Sequence, residues 1–245
     1  ASGQLGLGDT ANRGVSAGEM GDNLPSVDLG TGRTATAITT GENHTCALLD
    51  NATVKCWGAN GSGQLGLGDT TGRGDGIGQM GNSLPAVSLG TGRTATAVAA
   101  GGTHSCALLD NHQVKCWGAN GLGQLGLGDT NARGDGANEM GDNLTAVNLG
   151  SGRTATALTA GNNHTCALLD RGLVCRAALP PAAAPAGRVI DWAATFGVVL
   201  RVGVRRHNFR RPAAAPGLTG ALAALCVGPI HGAPDQHGHQ AGQQG

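Results

Sequence analysis

The sequence predicts an all-β repeat protein, and three observations support this prediction. The stretch at residues 104–130, HSCALLDNHQVKCWGANGLGQLGLGDT, recurs closely at 44–70, and parts of it occupy 1–10 and 164–175. These copies keep a period of 60 residues, which is typical of a protein built from one repeated structural unit. Within each period, short runs of strand-favouring residues alternate with turn residues, and no segment has a capped helical pattern of apolar residues.

Composition and charge indicate the kind of core and the kinds of partner that this protein has. Glycine fills 45 of 245 positions without a triplet period, and aromatic residues make up 2%, so we expect many tight turns and thin aliphatic cores. Residues 1–175 carry nine Lys or Arg against fourteen Asp or Glu. An acidic repeat region is poorly suited to phosphate backbones, so we expect no nucleic-acid partner. No run of about 18 apolar residues predicts a membrane span.

One complete period predicts four strands. In the middle copy they lie at residues 94–99, 104–109, 113–117 and 145–149, with a turn at 110–112. The period therefore predicts one four-stranded antiparallel sheet per repeat.

A loop rich in Gly, Asp and Asn separates the third strand from the fourth in each repeat. These insertion loops occupy residues 11–24, 71–84 and 131–144, and loops of this kind commonly emerge on one binding face of a repeat array. The candidate binding residues are Arg73, Asp75, Met80, Arg133, Asp135 and Met140.

Paired cysteines flank the hairpin turn of each repeat. If residues 50–52 form a three-residue loop, Cys46 lies directly opposite Cys56, close enough for a disulfide after a small adjustment. The predicted pairs are Cys46–Cys56, Cys106–Cys116 and Cys166–Cys175. Such bridges imply an oxidising compartment. Buried thiols remain an alternative, and so does a zinc site that uses His44 with the first pair, although no fourth ligand repeats in register.

The phrase GANGxGQLGLGDT, preceded by a strand that carries His-Ser/Thr-x-Ala-Leu, resembles the regulator-of-chromosome-condensation repeat, and more closely its cysteine-bearing bacterial versions. The resemblance covers residues 1–175. It implies one β-propeller blade per repeat, and a role for the repeated histidines (His44, His104 and His164) in hydrogen bonding to the blade backbone. Just under three repeats are present, whereas closed propellers need four to eight blades, so we expect an incomplete ring or a fragment of a longer propeller.

Other motifs have structural explanations. The run from Gly61 to Gly66 matches a dinucleotide fingerprint, but the residues after it do not begin a plausible helix, so we interpret it as a turn. The Arg-Gly-Asp triplets at 73–75 and 133–135 are interpreted as chance in a glycine-rich loop. The acidic residues of the same loop are interpreted as solvated turn residues rather than Ca²⁺ ligands.

The repeat breaks after Asp170, where a cysteine arrives one residue early and the tryptophan is missing. We therefore divide the chain into repeats at 1–175 and an Ala-, Pro- and Arg-rich tail at 176–245. The tail is either the product of a shifted reading frame or a genuine low-complexity segment. In both cases we expect disorder, or ill-defined helix around residues 191–204.

These features predict a non-catalytic scaffold for protein–protein interaction, without cofactor or metal, on a secreted or surface-exposed bacterial protein. No nucleophile, base and orienting group occur together in a pattern that predicts catalysis. One alternative is an intracellular nucleotide-exchange or chromatin-type regulator, which the resemblance implies. Another is an appendage of a larger enzyme. Open blade edges also predict self-association.

Overall fold

The computed structural model describes residues 2–177, which form nine strands in three separate antiparallel sheets. The first sheet contains β1 (Ala35–Thr40), β2 (His44–Leu49) and β3 (Val54–Gly58). The second contains β4 (Ala95–Ala100), β5 (His104–Leu109) and β6 (Val114–Gly118). The third contains β7 (Ala155–Gly161), β8 (His164–Leu169) and β9 (Gly172–Ala177). The predicted tail lies outside the described residues, apart from the last two residues of β9.

The hairpin formed by the second and third strands of each sheet follows from its sequence. β5 has the bounds that the sequence predicts, and its partner β6 begins one residue later than predicted. In the first hairpin the amide of Leu49 donates to the carbonyl of Thr53 over 2.9 Å, and Ala52 takes the left-handed conformation with φ of 61°. The three-residue loop therefore forms, and it places Cys46 opposite Cys56.

The third hairpin absorbs the loss of one residue in its turn. Leu169 pairs with Gly172, so the loop shortens to two residues, and Gly172 has a φ of 104°. The cysteine register survives, because Cys166 still lies opposite Cys175. Since the missing residue belongs to the loop, the strand pairing continues two residues beyond the predicted end of the repeats.

The predicted fourth strand at residues 145–149 does not form a regular strand. This segment runs beside β6 but shares one backbone hydrogen bond with it, from the amide of Val147 to the carbonyl of Val114 at 2.8 Å. In the equivalent segment at 85–89, the carbonyls of Ser88 and Leu89 accept from the Gly141 amide and from the Lys115 ammonium group instead. Contacts outside the sheet therefore use the carbonyls that a fourth strand would need.

Apolar side chains between consecutive sheets form the cores. Cys46, Leu48 and Val54 of the first sheet pack with Ala107 and Leu109 of the second, and the same arrangement recurs between the second and third sheets. The first strand of each sheet packs against the sheet before it, since β4 contacts β1 and β2, and β7 contacts β4 and β5. The repeats thus stack through one recurring interface.

Candidate interaction surface

Disulfides join the second and third strands of every sheet. The structure bonds Cys46 to Cys56, Cys106 to Cys116, and Cys166 to Cys175. The first two pairs are almost completely buried and belong to the cores between the sheets. These thiols are bonded to one another, so they do not provide the ligands of the alternative zinc site.

Histidine side chains connect each sheet to the next. The Nε2 atom of His44 lies 2.9 Å from the Oγ of Ser105, and that of His104 lies 2.9 Å from the Oγ1 of Thr165. Ser105 donates its hydroxyl hydrogen to the carbonyl of Gln64 at 2.9 Å, so it accepts from the histidine. The histidines therefore bond to the hydroxyl side chain of the next repeat, rather than to the backbone that the family resemblance implies.

This geometry requires a neutral imidazole with its hydrogen on Nε2. The Nδ1 atoms of His44 and His104 are buried without a hydrogen-bond partner, and each ring lies tightly against a glycine. A Cβ on Gly101 would lie 2.1 Å from Cε1 of His104, so only glycine fits there. Burial, together with the charge of the next histidine in the row, lowers the pKa of each ring from 6.5 to about 4.

The third strand of the first and second sheets carries a buried lysine that binds loop carbonyls. The Nζ atom of Lys55 donates to the carbonyls of Leu29 and Gly81 at 3.0 and 2.7 Å. Lys115 repeats this arrangement, and burial lowers the pKa of both ammonium groups. Val174 occupies the corresponding position in the third sheet. Each lysine therefore ties two loop segments to its sheet.

The second and third insertion loops each pack on the glycine-rich turn of the repeat before them. The amide of Gly68 donates to the carbonyl of Gly134 at 3.0 Å, and Gly8 makes the equivalent bond to Gly74 at 3.1 Å. Gly63 has a φ of 73°, and a Cβ there would lie 2.4 Å from the amide nitrogen of Asp135. The turn predicted at residues 61–66 is thus a docking point for the next insertion loop.

Most of the candidate binding residues help to hold this loop in place. Arg73 forms an ion pair with Asp69 at 2.7 Å, and its backbone exchanges two hydrogen bonds with Gly58. Arg133 repeats the ion pair with Asp129 at 2.6 Å. Met80 and Met140 pack against the apolar cores.

The two aspartates differ in environment. Asp75 is exposed, whereas Asp135 is partly buried beside Glu139, and burial and that carboxylate raise its pKa. Glu139 accepts the amide hydrogens of Gly134 and Gly136, each at 2.9 Å, and Gln79 occupies its place in the preceding loop. Since the Asp135 backbone lies against Gly63, its triplet is part of the contact between repeats.

The most exposed large apolar residue of these loops was not among the predicted binding residues. Ile77 is 99% exposed at the tip of the middle loop, where the other two loops carry Ala17 and Ala137. An apolar residue inside a polar, glycine-rich loop is the sequence signal that identifies it. Beside the third loop, an open groove of about 310 Å³ is lined by Leu67, Pro85, Asn138 and Met140, among others.

Over residues 2–177, no group of three His, Cys, Asp or Glu side chains has the arrangement of a metal site. In the same part of the chain, no helix is long and apolar enough to cross a membrane.

The fold and its loops define an all-β repeat protein of stacked sheets, with one disulfide within each sheet. The family profile described as "Regulator of chromosome condensation (RCC1) repeat" matches residues 53–108, and a second profile with the same description matches 35–64 and 95–124. The chain thus carries RCC1 repeats between residues 35 and 124.

Curated relatives match a limited part of this chain. The "Probable E3 ubiquitin-protein ligase HERC4" of Rattus norvegicus is 42% identical over 96 residues, which are 39% of this chain and 8% of the relative. The "Ultraviolet-B receptor UVR8" of Arabidopsis thaliana is 35% identical over 98 residues, 39% of this chain and 20% of the receptor. The chain therefore spans at most a fifth of the length of these two relatives.

Among solved structures, the crystal structure of human WBSCR16 is similar with a TM-score of 0.50 and 17% identity. The match covers 71% of this chain and 40% of the human protein. This likeness supports the fold alone.

Proposed function

We propose that this chain is a non-catalytic scaffold for protein–protein interaction, and that its insertion loops present the binding surface. The observation that carries this proposal is a constant loop frame with a variable tip. Arg13, Arg73 and Arg133 make the same ion pair at the base of each loop, whereas the tips differ. A common frame with different exposed residues is the arrangement expected where loops carry specificity on a rigid scaffold.

The frame restricts the conformations of the middle loop before any partner arrives. The Oε1 atom of Gln79 accepts the amide hydrogens of Gly74, Asp75 and Gly76 at 2.7, 3.1 and 3.1 Å. Ordering a loop in its bound shape reduces the entropy lost on association. The exposed Ile77 can then bury its side chain in a partner at little conformational cost.

We also propose that the fold is a set of propeller blades with four elements each. Residues 85–89 and 145–149 are the outer elements, and the bonds from Val87 to Val54 and from Val147 to Val114, both 2.8 Å, support this assignment. A protein partner would therefore bind loops that project from blades of constant geometry.

The proposed location is the cell exterior or surface, because three intrachain disulfides persist most readily in an oxidising environment. Intact mass after alkylation, with and without reductant, tests this. We expect six of the seven cysteines to resist alkylation until reductant is added. Free reactivity in protein isolated from its natural source without reductant would favour the intracellular regulatory alternative.

The binding role is tested by comparing the native chain with Ile77→Asp. Each protein is immobilised and incubated with cell-surface and secreted proteins, and bound proteins are quantified by mass spectrometry. We expect at least one protein to be enriched by the native chain and lost with Ile77→Asp. Ser151→Asp, which alters an exposed residue outside the insertion loops, is the matched control and should retain it. Equal capture by all three proteins would refute the assignment of the binding surface to the loop tips.

A further inference from the structure

The contacts between consecutive sheets repeat in the same direction along the chain. Each sheet presents a leading face to the sheet before it and a trailing face to the sheet after it. The trailing face of the first sheet supplies His44 and Leu48, and the leading face of the second supplies Ser105 and Val98. The second and third sheets use the equivalent residues, so one pair of complementary faces forms both interfaces.

The leading face of the first sheet is partly uncovered in the described part of the chain. Ile38 is 67% exposed, whereas Val98 and Leu158, its equivalents in β4 and β7, pack against the cores between the sheets. Thr45 is placed like Ser105, since its hydroxyl donates to the carbonyl of Gln4 at 2.9 Å. Its oxygen can therefore accept from a histidine, as Ser105 and Thr165 do.

The trailing face of the third sheet is uncovered in a matching way. Leu168 is 47% exposed and Leu173 is 65% exposed, although Leu48 and Leu108, the equivalents of Leu168, are buried. His164 is exposed, whereas His44 and His104 are buried against the next repeat. This face therefore carries a hydrogen-bond donor and apolar side chains that match the Thr45 hydroxyl and Ile38 of the leading face.

Backbone groups show the same complementarity. The amide of Glu42 donates to the carbonyl of Gly102 at 3.2 Å, and the amide of Gly102 donates to the carbonyl of Asn162 at 2.9 Å. If this row of backbone hydrogen bonds continued into another copy, the Asn162 amide would donate to the carbonyl of Glu42 in that copy. In the outer segments, the Val27 amide corresponds to those of Val87 and Val147, which bond to the third strand of the sheet before them.

We propose that this chain associates head to tail with a second copy, and that the third sheet of one copy packs on the first sheet of the other. His164 donates to Thr45 of the second copy, and Ile38 packs against the leucines of the trailing face. The contact repeats an interface already present twice within the chain. Because its two faces differ, the association is heterologous. Two copies together bring six sheets, within the range of closed propellers.

The test uses two variants of the full chain, Ile38→Asp and Leu173→Asp. Both change exposed side chains, so the fold of each copy is retained, and circular dichroism checks this. Ile38→Asp alters the leading face, and Leu173→Asp alters the trailing face. We expect the native chain to sediment as two or more copies at micromolar concentration, and each variant alone to sediment as one copy.

Mixing the two variants distinguishes this contact from other forms of association. Ile38→Asp keeps a native trailing face and Leu173→Asp keeps a native leading face, so an equal mixture should form a two-copy complex. Ile77→Asp, in an insertion loop, is the matched control and should associate like the native chain. His164→Ala should also weaken association, by about tenfold for one hydrogen bond. A native chain that sediments as a single copy, or a mixture that stays single, would overturn the proposal.

Discussion

Lowering the pH from neutral to about 5 should destabilise this fold through His44 and His104, although most carboxylates remain ionised there. Both rings have a pKa of about 4 in the folded protein, against 6.5 for an ordinary histidine. As the pH falls below 6.5, the unfolded chain binds protons that the folded chain does not. The contribution to stability is therefore complete above pH 6.5 and is lost as the pH approaches 4.

The size of the effect follows from the two pKa values. One pKa unit corresponds to about 1.4 kcal/mol, so each ring would lose about 2 kcal/mol of unfolding free energy between pH 7 and pH 5. The two rings together would lose about 4 kcal/mol, a large fraction of the stability of a typical domain. Protonation also destabilises the ring in its site, because the second hydrogen, on Nδ1, would face a glycine and would have no acceptor.

Denaturant unfolding followed by circular dichroism at several pH values between 7 and 5 measures this dependence. The variant His104→Gln retains an N–H donor and removes one titrating ring, so its pH dependence should fall to about half that of the native chain. Ion-paired carboxylates such as Asp69, whose pKa is lowered, lose their stabilisation in a more acidic range. An unfolding free energy that stays constant from pH 7 to pH 5 would refute the assignment of neutral, buried histidines.

Three further predictions concern the loops and are measured by thermal and denaturant unfolding. Lys115→Met should cost about 2–3 kcal/mol, because two buried carbonyls lose their donor, whereas Gln113→Met on the same hairpin should have little effect. Gly63→Ala should cost more than about 1 kcal/mol, because the site combines a positive φ with a contact at 2.4 Å. Gly61→Ala, with open space around it, is the matched control, and equal losses would contradict the contact. Glu139→Gln should leave stability unchanged or raise it by up to about 1 kcal/mol, because it removes a carboxylate beside Asp135; a loss above that size would contradict this view.

Pairing within each hairpin could be predicted from the sequence, whereas the fourth strand of each repeat could not. The cysteine pairs and the hairpin loops were predictable, because alternation along two adjacent strands and a turn of defined length set which residues lie opposite each other. The same reasoning covers the third hairpin once the lost residue is placed in its turn. Residues 85–89 and 145–149 also have strand-favouring composition, but the carbonyls of Ser88 and Leu89 bond to groups outside the sheet, and composition does not indicate that competition.

The candidate site was predicted less completely. The insertion loops and their positions follow from the repeat, and Arg73, Asp75, Met80, Arg133, Asp135 and Met140 do lie within them. Their roles depend on which side of the loop faces the preceding repeat, and this is decided by contacts between residues about 60 positions apart. The exposure of Ile77 depends on the fold of the loop around Gln79, and this fold could not be predicted from the sequence.

The sequence by itself determined the 60-residue period, the all-β class and the register of each cysteine pair. These features depend on neighbouring residues and on the alternation of side chains along a strand. Only the tertiary structure decided the histidine bonds to Ser105 and Thr165, each of which joins residues 61 positions apart. It also decided that glycine must stand beside each ring. Such contacts arise from the distance and orientation of one sheet relative to the next, which no local pattern specifies.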